Sequence, residues 1–524
     1  MNLFKKLLVP ALFIVLLLFG FLLRSKMLLN GDFYYLLDQS RDMLLAQSIV
    51  IDHKLTLIGA RTGLGGLFHG ALWIYMITPF FMLAKGNPFF TLTPLFELVN
   101  LGIIAVGFFV GKQLYGKWMG LLFGLLLTIS STLVETVPFT SNAQVLPSIV
   151  LLYLYSIIKF MRGEEKYFIF ALLFIGLGFQ FESAFAILLV PLTLLAILLR
   201  KKLPTLKNTL WGIGAFFLAV STFILFDLRH QFLMTSSAFK LFTNHVKPLP
   251  GYEQYADIGF RVQDRIMNLW GSLFTPLFAK DSLTSWLLVA VIALGVFFLF
   301  KNIVHAKKIK KQEREYLFIL LAPVVVYGIY IFYPLPLWPH YLLPISALAV
   351  FVLSLSIQVI WTKPALKLLV GIFLVLAILP ALLSVKNSYV NAPQYVATSD
   401  GSYSNQLEVA TWVLRDTKNQ EYGYFVYTTG ILTYNMDYLL SWLSKKDNLI
   451  LPSNQKHPTT YLIMYPHSAN DKDAYIYWKN HVVRTTGKVV LTKTFDSGII
   501  VEKLQIPANE QPADPNYYQN LIFR

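Results

Sequence analysis

The chain has 524 residues, 56% of them hydrophobic and 14% charged, against about 25% charged in soluble domains. With a mean hydropathy of +0.57 and no cysteine, it excludes a soluble globular enzyme, a disulfide framework, a thiol nucleophile and a cysteine metal site. The formal charge of +16 sits largely in short loops between apolar runs, where Lys and Arg orient membrane proteins, so it does not point to a nucleic acid partner.

Lys5 and Lys6 precede an apolar run ending at Leu23, and Arg24-Ser25-Lys26 follows without a small-residue cleavage site. This suits a first transmembrane helix or uncleaved anchor rather than a removed signal peptide. Further spans are expected at 67–84, 92–111, 118–134, 143–160, 167–179, 181–199, 208–227, 284–300, 315–333, 341–358 and 366–385. The stretch 167–199 reads as two short spans divided at Gln180. The expectation is an all-α polytopic membrane protein of about 11–13 transmembrane helices.

Basic loops at Arg162–Lys166, Arg200-Lys201-Lys202 with Lys207, and Lys307–Arg314 are assigned to the cytoplasm. The N-terminus is then cytoplasmic. Residues 24–66, 136–142, Gln180–Ser183, 228–283, Tyr333–His340 and everything beyond about 387 lie outside. The loop Lys112–Lys117 conflicts with this pattern unless a crossing within 67–112 is merged with its neighbour. The 228–283 loop is polar and aromatic, with Pro248, Pro250 and Gly251 at its centre.

Beyond about 387 the composition turns to Asn, Asp, Lys and Tyr. Periodicity predicts helix at 404–417, strand at 422–428, helix at 434–445, strand at 459–465, helix at 472–482, and strands at 486–494 and 498–505. The chain is therefore divided into a membrane domain, 1–386, with outer loops 24–66 and 228–283, and an extracytoplasmic α/β domain, 387–524.

The first outer loop holds Asp32, Asp38 and Asp42 close to a membrane exit, where carboxylates are costly unless solvated or paired. Asp32 fits a helix N-cap position. In the run that follows, Leu36, Leu37, Met43 and Leu44 fall on one helical face and Asp38, Gln39, Arg41 and Asp42 on the other, as in a helix lying flat in the interface. Arg41 is spaced to pair with Asp38. The plainer reading of Asp38 and Asp42 is a solvated charged face.

Further along, Arg61-Thr62-Gly63-Leu64-Gly65-Gly66-Leu67-Phe68-His69-Gly70 lets backbone approach a ligand closely and sets His69 at the lip of a span. Gln180 and Glu182 interrupt another apolar stretch, and an intramembrane carboxylate needs a cavity or a surface. Asp227-Leu228-Arg229-His230-Gln231 ends a span, and Tyr333-Pro334-Leu335-Pro336-Leu337-Trp338-Pro339-His340-Tyr341 opens one. An aromatic belt explains Trp338 and Tyr341 but not His340. Arg and His at this level suit the phosphate of a lipid carrier. Their common placement on one side outweighs any single position.

The outer Gly31-Asp32, His69 at the second span, the break Gly176-Leu177-Gly178-Phe179-Gln180-Phe181-Glu182, Leu228-Arg229-His230-Gln231-Phe232 and Pro339-His340-Tyr341-Leu342-Leu343-Pro344 carry a resemblance. Over about residues 5–386 the chain resembles the bacterial protein O-mannosyltransferase and lipid A aminoarabinose transferase relatives of the GT-C membrane glycosyltransferases. Three positions depart from the usual pattern. An Asp-Glu pair is here Asp32-Phe33, a His-Pro-Pro or Lys-Pro-Pro is here His69-Gly70-Ala71, and a Lys or His in the mid-chain break is here Glu182.

The resemblance implies transfer of one sugar from a polyprenyl-phosphate donor to a glycan, lipid or protein acceptor at the outer face of the plasma membrane, with Asp32 as base or acceptor-orienting group. Asp38, Arg41, Asp42, Arg61, His69, Gln180, Glu182, Arg229, His230, His340 and Tyr341 are the expected substrate contacts. No nucleotide-cradling glycine motif is present in the sequence. A divalent metal at Asp32 stays open as an addition, with no other cofactor expected. The alternative function is a transporter or flippase of a lipid-linked saccharide, which would carry mid-membrane charges and repeat symmetry. A third class is a sensor or assembly protein whose outer domain binds glycan or peptide.

Overall fold

The computed structural model describes residues 2–62, 65–243, 252–274, 282–305, 311–390, 399–428, 432–467 and 473–515. Gly63, Leu64, Pro248, Pro250, Gly251, Lys307, Lys308 and Lys310 lie outside these described residues. The fold is helical through its apolar part. Seven of the described helices are long and apolar enough to cross a membrane, and eight if the bent pair Leu206–Ala219 and Ser221–Arg229 is one span. The remaining expected spans fall on three shorter apolar helices, Leu72–Leu83, Lys117–Thr128 and Tyr167–Phe181, and on Lys311–Tyr330. The chain is a multi-pass membrane protein.

The chain forms two compact units. One contains Met1–Ser25, Leu57–Trp73 and Phe96–Val390; the other contains Lys26–Thr56, Ile74–Leu95 and Asn391–Arg524. Most of the first loop, Lys26–Thr56, thus folds with the C-terminal residues.

In the first unit several buried polar groups find partners across the helices, as a low-dielectric interior favours. Arg24, 2% exposed, donates to the carbonyls of Leu127 (3.2 Å) and Thr128 (3.1 Å). It thereby places a cation at the C-terminus of Lys117–Thr128, where the helix dipole favours one. Asn100 donates to Thr140 Oγ1 (3.0 Å), and Gln144 donates to Asn100 Oδ1 (2.9 Å) and Thr136 Oγ1 (3.0 Å). The arginines of the basic loops are also engaged. Arg162 grips Glu315 with two bonds of 2.9 Å, and Arg200 meets Glu165 at 2.5 Å. A short antiparallel hairpin, β1 (Ile58–Arg61) and β2 (Phe68–Gly70), precedes Leu72–Leu83.

In the second unit a four-stranded sheet runs in the order β3-β4-β6-β5, with β3 Gly423–Tyr427, β4 Thr459–Met464, β5 Lys488–Thr494 and β6 Ile500–Gln505. β3 and β4 are parallel, with Phe425 opposite Leu462, and are joined through the helix Tyr434–Lys446; the other pairings are antiparallel. A parallel pair needs such a crossover. β3 and β4 are almost wholly buried, as strands covered on both faces are. β5 is exposed along its length and carries Lys488 and Lys493, which suit an edge. Phe425, Leu462, Met464, Trp478, Val483 and Leu504 form the core beside the sheet.

Candidate functional site

In the second unit Asp32 is 3% exposed. It does not cap the helix that follows it. That helix starts only at Leu37, after Leu36, because residues 33–35 run alongside residues 401–403. Tyr35 N donates to Gly401 O (2.9 Å) and Tyr403 N to Phe33 O (2.9 Å). Asp32 instead serves the helix Tyr403–Asp416. Its Oδ1 accepts from Phe33 N (2.9 Å) and Ser404 N (3.0 Å), and its Oδ2 accepts from Ser402 Oγ (2.6 Å). A carboxylate at a helix N-terminus is stabilised by the dipole and the unpaired amides there. With about four lone-pair positions on a carboxylate, Oδ2 keeps one for a further donor.

The rings of Phe33, Tyr35, Phe89 and Tyr403 pack against one another beside the pairing of residues 33–35 with 401–403. Burial and the neighbouring Asp32 push the Tyr403 hydroxyl above the ordinary tyrosine range, and burial does the same to Tyr35. Both stay protonated donors.

The helix Leu37–Val50 reverses the expected orientation. Gln39, Ser40, Asp42 and Met43 are buried while Leu36 and Leu37 are exposed. The polar stripe turns inward because it packs against Tyr434–Lys446 and brings its own countercharges. Arg41 meets Asp38 at 2.8 Å and Asp42 at 3.0 Å. Burial alone would weaken the Arg41 charge, but Asp42 and Asp38 outweigh it and hold the guanidinium above its ordinary pKa. Asp38 keeps 56% of its side chain exposed and Asp42 only 3%.

In the first unit the expected contacts converge on the break at 180–184. Gln180 Nε2 donates to Ala219 O (2.8 Å) and Thr222 Oγ1 (2.9 Å). It thus satisfies the carbonyl freed where Leu206–Ala219 and Ser221–Arg229 bend by 60°. Gly70 lies so close that an added Cβ would come 2.6 Å from the Gln180 Cα. Here the glycine serves packing between backbones rather than approach to a ligand. His69 is half-buried and Arg61 exposed. Phe68 stacks edge-on against Phe226 (5.4 Å), and Phe226 lies under the His230 ring (4.0 Å).

Asp227 fixes that turn by accepting from Met234 N (2.7 Å), Thr235 N (2.9 Å) and Thr235 Oγ1 (2.5 Å), at the start of Leu233–Thr243. Arg229 and His230 stay exposed. His230 Nδ1 donates to Phe226 O (2.8 Å), since a carbonyl can only accept. Its Nε2 is the ring nitrogen outside this bond, on an exposed residue.

Glu182 is 3% exposed and caps Ser183–Ala186 by accepting from Ala184 N (3.2 Å). Tyr330 donates to Ala184 O (3.3 Å), and Tyr333 and Tyr341 feel the Glu182 charge and bond to each other. His340 packs edge-on to Tyr341 (4.5 Å). Composition and spacing gave no sign of the residue that holds this lip. Arg265, 1% exposed, donates to the carbonyls of Tyr330 (3.1 Å), Tyr333 (3.1 Å) and Leu335 (2.8 Å) and pairs with Asp264. Ser402, Ser404 and Tyr403 were missed likewise. Ser402 is the N-cap of Tyr403–Asp416, accepting from Asn405 N, and its bond to Asp32 crosses 370 residues.

Among the described residues no three of His, Cys, Asp and Glu gather as metal ligands. Asp32 is met by three hydrogen-bond donors, which satisfy three of its lone-pair positions.

The fold is similar to that of membrane glycosyltransferases of known structure. Residues 69–226 match the family model described as dolichyl-phosphate-mannose-protein mannosyltransferase, the segment that contains His69, Gln180 and Glu182. The oligosaccharyltransferase of Archaeoglobus fulgidus, solved with Zn and sulfate, aligns at a TM-score of 0.51 and 12% identity, over 97% of this chain and 76% of that one. ArnT from Cupriavidus metallidurans bound to undecaprenyl phosphate aligns at a TM-score of 0.48 and 11% identity, over 96% of this chain and 99% of that one. No curated protein sequence matches the chain.

Proposed function

We propose that the protein transfers one sugar from a polyprenyl-phosphate donor to an acceptor hydroxyl at the outer face of the plasma membrane, with inversion. The acceptor O–H proton passes to Asp32, the new bond to the anomeric carbon forms, and the bond from that carbon to the lipid phosphate breaks. The lipid phosphate leaves with the bonding pair. The observation that carries the reading is the carboxylate of Asp32, fixed by Phe33 N, Ser404 N and Ser402 Oγ with one lone pair over. A base held in one orientation spends no reorganisation at the moment of proton transfer.

The family similarity over 69–226 supports a lipid-phosphate-linked donor. Within that unit, Arg229, the Nε2 of His230, and His340 suit the phosphate charge as it develops. Arg61, His69, Gln180, Glu182 and Tyr341 would shape the donor pocket. In the other unit Asp38, Arg41 and Asp42 buttress the loop that carries Asp32.

The test is to incubate purified protein with a panel of polyprenyl-phosphate sugars and a mixed glycan, lipid and peptide acceptor pool. Release of polyprenyl phosphate from at least one donor is expected. No release from any donor refutes the reading.

A further inference from the structure

A second polar cavity, of about 500 Å³, lies in the second unit, and nothing in the transfer chemistry above uses it. Its floor is one stripe of the helix Tyr434–Lys446: Asp437, Ser441 and Lys445, spaced four apart and so stacked on one face over about 12 Å. Its wall is the segment 451–455, held against the sheet where Tyr424 N donates to Ser453 O (2.9 Å) and Ser453 N to Tyr422 O (3.3 Å).

Asp437 is set in place by two neutral hydroxyls. Tyr424 Oη donates to Oδ1 and Thr433 Oγ1 to Oδ2, each at 2.7 Å. Hydroxyls orient a carboxylate without neutralising it, so each oxygen keeps acceptor capacity. Asn454 and Gln455 supply amides that donate and accept, Ser441 and Ser453 supply hydroxyls, and Leu451 and Pro452 supply an apolar strip.

We infer that this cavity is a saccharide-binding site on the C-terminal α/β fold, taking one or two neutral sugar residues. The volume lies in the range of small-molecule sites, about 300–1,000 Å³. A charged acceptor beside amides pairs with vicinal hydroxyls, and a short aliphatic strip covers the C–H face of a ring. A single lysine is too little for a phosphate group, for which arginine forks are the usual partner. The lining is too polar for an acyl chain.

The inference stands apart from the transfer reading, because binding is measured without turnover. Full-length protein in phosphocholine nanodiscs, free of sugar detergents, is mixed with methyl glycosides of hexoses and N-acetylhexosamines. Saturation-transfer NMR reports contact. At least one glycoside is expected to bind in the millimolar range. Ser441→Trp, which fills the cavity from its half-buried floor, and Asp437→Asn, which removes the charge, should each weaken binding at least fivefold; Lys488→Ala on the exposed edge strand should leave it unchanged. If Asp437→Asn fails to fold, Ser441→Trp alone decides. Absence of binding to every glycoside, or binding that Ser441→Trp leaves intact, overturns the proposal.

Discussion

Replacing Asp32 by Asn separates the charge of this residue from its place in the fold. The asparagine carbonyl can accept from Phe33 N and Ser404 N as Oδ1 now does, at 2.9 and 3.0 Å. Its amide nitrogen can donate to Ser402 Oγ, whose hydroxyl then swings to Ser404 Oγ, 3.0 Å away. All three contacts survive in altered polarity, so the variant should fold with a loss of about 1 kcal/mol, the scale of one ordinary hydrogen bond. Asp32→Ala strands the Phe33 and Ser404 amides at about 1–3 kcal/mol each. It is therefore the wrong variant for asking about chemistry. If Asp32 takes the acceptor proton, Asp32→Asn loses about two to four orders of magnitude in turnover, or about 3–5 kcal/mol of barrier. The assay is steady-state release of polyprenyl phosphate at saturating donor, with thermal unfolding followed in parallel. Turnover within tenfold of the parent, at unchanged melting temperature, would refute the role.

Arg265→Met removes the guanidinium donor from three carbonyls and the cation beside Asp264, leaving Tyr330 O with Tyr333 N and Asp264 with Tyr255 Oη and Asn268 Nδ2; a loss of about 3 kcal/mol of stability and faster proteolysis at residues 331–338 are expected, checked by thermal unfolding and limited digestion. Gly70→Val drives a side chain into the Gln180 backbone and should cost about 1–3 kcal/mol, again read by thermal unfolding, with Gly102→Ala, which has open space, as the tolerant control. Burial raises Asp437 from 3.8 to about 6, against the lowering effect of the Thr433 and Tyr424 hydroxyls. Between those pH values the native state binds more protons than the unfolded one, so stability falls as pH rises from about 4 to about 6 and then levels off. The drop is at most about 3 kcal/mol. It should vanish in Asp437→Asn, and urea unfolding across that pH range checks it.

Local periodicity exposed the helices because a bilayer forces long apolar runs, and each expected span falls on a helix. It exposed the C-terminal strands because turn-bounded β-branched runs have few other uses. It misjudged Leu37–Val50 because amphipathicity reports which face differs and not which face water takes. Arg41 between Asp38 and Asp42 makes the polar face a self-neutralised one that can be buried. The hairpin Ile58–Arg61 with Phe68–Gly70 escaped because its strands are too short to show a period. Arg265 escaped for another reason. Its three partners lie 65 to 70 residues away and are backbone carbonyls, which no sequence displays. The partners of Gln180 Nε2, Ala219 O and Thr222 Oγ1, lie about 40 residues away and are equally invisible in the sequence.

The bond between Asp32 and Ser402 also sets a timetable. The two residues are 370 positions apart, and a ribosome adding about 5–20 residues per second needs roughly 20–70 s to cover that distance. During that interval the helices between them have been inserted, while the loop around Asp32 still lacks the Ser402 hydroxyl and the Ser404 amide. The proposed reactive group is thus among the first to be synthesised and among the last to be set in place. A nascent chain stalled before residue 400 should hold its membrane helices and yet leave the segment 26–36 open to protease.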